Sequence, residues 1–235
     1  MNLFLILLLF FALTLDARDL TFEKLYATVN ACYKNQKCKQ PVASSFLIEN
    51  GKPKDEYSPE KIHDNIGEKG KDTAWCVSKN QGIGEYIYIP YQNLQGINQY
   101  NNIWKRREYF SLFTVVNGFA KSESLYLSNN RVKKITIEVK EIAYTMAVSG
   151  PETIAGTDII VYDGPLLNSI HEVELADSME EQTFKLKIIP KSTKDGYNQM
   201  DLLFKVIINE IYPGSKYKDT CISTASFTML NPETK

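Results

Sequence analysis

The chain has 235 residues, 27 Lys and Arg against 28 Asp and Glu, a net charge of −1 and a pI near 6.2. That balance provides no field to recruit a nucleic acid or an anionic membrane, so neither is expected as a partner. Fourteen Tyr and eleven Phe with many Val, Ile and Thr favour strands over helices, because branched and aromatic side chains pack well on a pleated surface.

Leu3 to Leu15 is an almost unbroken apolar run that ends at Ala17, just before Arg18 and Asp19. This is the profile of a signal peptide over residues 1–17, although its first residues lack Lys and Arg. The run is shorter than the roughly 20 residues that span a bilayer, so no transmembrane segment is expected in the mature form. No Cys closes it to carry a lipid. An exported, soluble protein follows, destined for the periplasm, the cell surface or the medium.

Phe22, Leu25, Tyr26 and Val29 recur at helical spacing after Asp19, which is placed to cap a first turn. The spacing predicts a short helix over residues 20–33, within an N-terminal segment of residues 18–42. Four cysteines in an exported chain predict two disulfides out of three possible pairings. Cys32 and Cys38 are near neighbours before the strand-rich part and are paired here, which leaves Cys76 with Cys221. The spacings fit no zinc pattern.

From residue 43 to 235 the pattern becomes short apolar or alternating runs separated by Gly, Pro, Asn, Asp and Ser, as in a β-sandwich. Strands are expected at 44–48, 85–91, 109–116, 132–139, 159–162, 171–175, 183–189, 202–211 and 222–228. Residues 121–127 have the propensity for one helical turn, and 140–157 and 163–181 read as long polar connections. In 132–139, Ile135, Ile137 and Val139 share one face and Lys134, Thr136 and Glu138 the other.

Several motifs then follow in order: Tyr57-Ser58-Pro59-Glu60, Asp64, Thr73-Ala74-Trp75-Cys76 and Gly82-Ile83-Gly84-Glu85. Further on come Asn117-Gly118-Phe119-Ala120-Lys121-Ser122-Glu123, Asn129-Asn130-Arg131-Val132-Lys133-Lys134, and Ile211-Tyr212-Pro213-Gly214 continuing to Cys221-Ile222-Ser223. The series resembles, over residues 43–230, the discoidin-like (F5/8 type C-like) glycan-binding and translocation domain of bacterial NAD-glycohydrolases, which also occurs in stand-alone exported proteins. The resemblance implies an all-β, galactose-binding-like jelly-roll sandwich whose first and last strands are neighbours, as a Cys76–Cys221 bridge requires. With the sequence ending at Lys235, no glycohydrolase catalytic domain is expected to follow, and the family name is not taken as an activity.

A module of this kind binds through loops at one end of the sandwich. The stretch from Tyr91 to Arg107 is the chain's richest mixture of amides, rings and cations. Rings stack on the C–H faces of sugars, while Asn and Gln donate to and accept from hydroxyls. Tyr91, Asn98, Tyr100, Asn102, Trp104 and Arg106 are therefore the expected contacts for a carbohydrate or other cell-surface glycan. An envelope protein is the alternative partner. Trp75 is expected in the core, packed on the disulfide. Lys121, Ser122, Glu123, Arg131, Lys133 and Lys134 read as a charged face. Asp64, Asp72 and Thr73 offer the hard oxygen donors of a structural Ca²⁺ site, the only cofactor considered. No catalytic residue is expected: His63 and His171 lie in no nucleophile or metal motif, and Glu180-Glu181 lies in a polar stretch.

Overall fold

The computed structural model describes residues 40–62, 71–90, 109–146, 157–161, 169–189 and 199–230. Among the described residues ten strands run in chain order as β1 (Val42–Ala43), β2 (Trp75–Val77), β3 (Tyr86–Pro90), β4 (Tyr109–Asn117), β5 (Asn130–Met146), β6 (Thr157–Val161), β7 (Ile170–Glu174), β8 (Gln182–Ile188), β9 (Gln199–Tyr212) and β10 (Thr220–Met229). One short helix, α1 (Glu123–Ser128), lies between β4 and β5.

The strands form two layers. One has the order β1-β3-β9-β5, with β7 and β6 in succession on the free side of β5. The other has the order β2-β10-β4-β8. The layers join where β5 and β10 run parallel for two residue pairs, Asn130 with Thr220 and Arg131 with Cys221, before diverging. Alternation dictates what lies between them. Ile135, Ile137 and Val139 of β5 meet Phe204, Val206 and Ile208 of β9 on one inner face, and Phe113, Val115, Phe227 and Leu186 cover the other. Phe204 stacks on Phe227 across the gap at 3.7 Å between ring centroids. Each large side chain buried here contributes roughly 1.5–3 kcal/mol.

Most expected strands are present, with instructive differences. Residues 44–48 leave the sheet after β1, because the Ser44 and Ser45 hydroxyls both donate to the Glu85 carboxylate, at 2.6 Å each, and Leu47 N–H donates to the Cys76 carbonyl. The run becomes a strap over β2 rather than a strand. Strand β2 itself was not expected, since three buried residues are too short to show a period. Residues 140–146 are no polar connection: they extend β5 and pair with both β6 and β9. Helix α1 forms where one turn was expected. Ser122 Oγ accepts from Leu125 N–H at its start, and Asn129 closes its end on the Leu125 carbonyl.

Candidate functional site

The two ends of the sandwich differ in kind. At one end β5 and β10 begin and β4 and β9 finish, and polar side chains tie these elements together. Arg131 is buried there and forks onto Asp177, Nε to Oδ1 at 3.0 Å and Nη2 to Oδ2 at 2.7 Å. Its Nη1 donates to the carbonyls of Asn129 and Pro213. The Tyr126 hydroxyl donates to the same Asp177 oxygen at 2.8 Å, and the Arg131 guanidinium lies 5.3 Å from the Tyr126 ring centre. The Arg131 bonds hold the Asp177 carboxyl below the ordinary carboxylate range, and burial followed by Asp177 pushes the Tyr126 phenol up. The buried Asn117 amide bonds Val132 N–H and C=O and the Ala176 carbonyl. Bidentate, mutually satisfied pairs such as these fix geometry and tie this end of the sandwich together.

Beside this knot the disulfide is formed. Cys76 and Cys221 face each other across β2 and β10, beneath Leu47, Tyr57 and Phe119. Tyr57 OH donates to Glu49, and burial followed by that carboxylate pushes its pKa up to about 12. Burial, and then Glu49, also raises the Asp219 carboxyl. Five exposed apolar side chains, Phe46, Ile48, Ile83, Leu127 and Tyr217, border this end. Tyr217 N–H donates to the Ser128 carbonyl, which sets it next to Leu127.

At the opposite end the connecting segments depart. Pro90 pairs with Leu203 and Tyr109 with Ile188, so the last residue of β3 and the first of β4, which bound residues 91–108, both lie there. Residues 147–156 and 190–198 are bounded at this end too, by Met146 opposite Thr157 and by Ile188 and Gln199. Tyr91, Asn98, Tyr100, Asn102, Trp104 and Arg106 lie outside the described residues, as do Asp64, His63, Cys32 and Cys38.

Of the expected Ca²⁺ donors, Asp72 is exposed, and Thr73 donates its hydroxyl to the Lys61 carbonyl, where it anchors the preceding turn. Among the described residues no three His, Cys, Asp or Glu side chains converge on a metal-sized site. Trp75 is a core residue, as expected, but it does not pack on the disulfide. Its neighbour Cys76 points to the other side of β2, and the indole faces the sandwich interior with Nε1 donating to the Ser45 carbonyl at 3.0 Å. The charged-face reading suits Lys133 and Lys134, which pair with Glu210 and Glu172 at 3.0 and 2.8 Å. It is wrong for Arg131, whose guanidinium is the centre of the knot, and for Ser122, which caps α1. Asp177 escaped notice because a lone acid in a polar stretch carries no periodic signal.

No curated protein and no solved structure matches the chain. A family model does, over residues 32–228, which takes in all four cysteines: it describes the NAD glycohydrolase translocation F5/8 type C domain, the translocation part and not the catalytic one. With an all-β sandwich, a Cys76–Cys221 bridge and a match across most of its length, the chain belongs to this family of F5/8 type C translocation domains.

Proposed function

We propose that the protein is a non-catalytic, exported binding module that recognises carbohydrate on a cell surface through the loop-bearing end of its sandwich. The observation that carries this reading is the division of labour between the ends. One is locked by Arg131, Asp177 and Tyr126, and at the other β3 ends and β4 begins, the strands that bound residues 91–108. That segment holds Tyr91, Asn98, Tyr100, Asn102, Trp104 and Arg106, the rings, amides and cation that sugar recognition needs. A glycan array probed with oxidised protein of residues 18–235 and with its Trp104→Ala variant tests it. Binding to one glycan class that the variant loses supports the reading, and silence from folded protein refutes it.

A second reading, adhesion to an envelope protein, is favoured by the exposed Phe46, Ile48, Leu127 and Tyr217 at the disulfide end, which offer apolar surface to a partner. Cross-linking in whole cells, compared with an Ile48→Asp, Leu127→Asp variant, separates the two. Loss of a defined adduct favours the protein partner.

A further inference from the structure

Along one side, β7, paired with β5, and β8, paired with β4, face each other across the two layers and are linked by individual hydrogen bonds rather than a ladder. This seam is held differently from the layers it joins. Ile189 N–H donates to Ser169 Oγ, and Ala176 N–H to the Gln182 amide oxygen, so side chains do the bridging. His171 sits between them. Its partner across β5 is Ile137, a core residue, and Val173, on the same face of β7, is in the core as well, so the imidazole faces inward. It hydrogen-bonds to the backbone of Lys187 on β8, while its Nε2 is buried with no hydrogen-bond partner among the described residues. A neutral imidazole tolerates this, since an unprotonated Nε2 is only an acceptor.

We propose that this seam is an acid-operated joint: a proton taken from solvent by His171 creates a buried N–H⁺ with no acceptor, and β7 separates from β8 to hydrate it. No described charge offsets the added one. Glu172 and Glu174 point from β7 to the other face, where Glu172 pairs with Lys134, and the flanking β5 residues Lys134 and Glu138 lie on that face too. On β8, Lys185 and Lys187 carry their side chains outward, and the inward residues Leu186 and Ile188 are apolar. Burial holds the imidazole below its usual range, in agreement with the geometry. The joint lies along the side of the sandwich, and it holds whether or not the loop end binds glycan.

Hydrogen–deuterium exchange of the full-length protein between pH 7.5 and 5, corrected for the intrinsic pH dependence of exchange, tests it. Below pH ~6.5 the protection of residues 170–174 and 182–188 falls by up to about tenfold per pH unit, while β3 and β9 are unaffected. His171→Gln abolishes the dependence and His63→Gln preserves it. If His171→Gln does not fold, the slope in the wild type, with His171→Leu alongside, still decides. A flat profile, an equal loss of protection in every strand, or a slope that survives in the His171 variant overturns the proposal.

Discussion

Removing the Cys76–Cys221 bridge is the most quantitative test of how the fold is held. The two cysteines lie 145 residues apart in sequence, so the bridge closes most of the sandwich into one covalent loop. In the chain-entropy treatment a loop of this length restricts the unfolded ensemble by about 5 kcal/mol at 25 °C. Cys76→Ala, Cys221→Ala should lose about that much, because alanine is smaller than the cysteine it replaces in the cluster under Leu47, Tyr57 and Phe119 and adds no overpacking. With a urea slope of about 2–3 kcal/mol/M for a domain of this size, the unfolding midpoint falls by roughly 2 M. The assay is equilibrium urea unfolding of oxidised wild type and variant, followed by near-ultraviolet circular dichroism and intrinsic fluorescence. A midpoint shift below ~0.5 M at unchanged slope would refute the reasoning, since the denatured chain would then hold β2 near β10 without the bond.

Two further substitutions probe the locked end. Gly118 has φ +68°, and a Cβ there would lie 2.6 Å from the Tyr126 ring and 2.7 Å from Arg131 Cγ. Gly118→Ala therefore costs about 2–4 kcal/mol, measured by thermal or urea unfolding, through backbone strain and overpacking together. At Asp177 the folded-state pKa is depressed by the Arg131 bonds, so its contribution is complete above the unfolded value of ~3.9 and drains away as pH falls through the folded value. Asp177→Asn is thus less stable at neutral pH and shows a shallower loss of stability between about pH 4 and pH 2. Equal acid slopes in both proteins would exclude that carboxylate as an acid-sensitive group.

What could be read from the residues, and what could not, follows from the range of the forces involved. Alternation along Ile135, Ile137 and Val139 is a local signal, and that strand forms with those residues inward. Even cysteine arithmetic reaches across 145 residues, since one pairing satisfies the family geometry. By contrast, Ser44 and Ser45 looked like the start of a strand. Only the Glu85 carboxylate, which burial pushes up but which the two serine hydroxyls and Lys79 together hold below its ordinary range, shows why the chain turns off the sheet. Arg131 is similar: a cation next to Lys133 and Lys134 reads as surface until Asp177, distant in sequence, is seen beneath it. Pairings of single polar residues over long separations leave no period to detect, and the locked end of the sandwich is made of them.

Among the described residues β10 is the last strand, yet it lies inside its layer, flanked by β2 and β4 and touching the start of β5. Until residues 220–229 are available, β2 has no strand neighbour, Phe113 and Phe204 lack Phe227 between them, and Cys76 lacks its partner Cys221. The earlier strands alone cannot close a core, and so many distant pairings make for slow assembly. A chain wired this way closes its core only once residues 220–229 have arrived, an order of assembly compatible with the export proposed above.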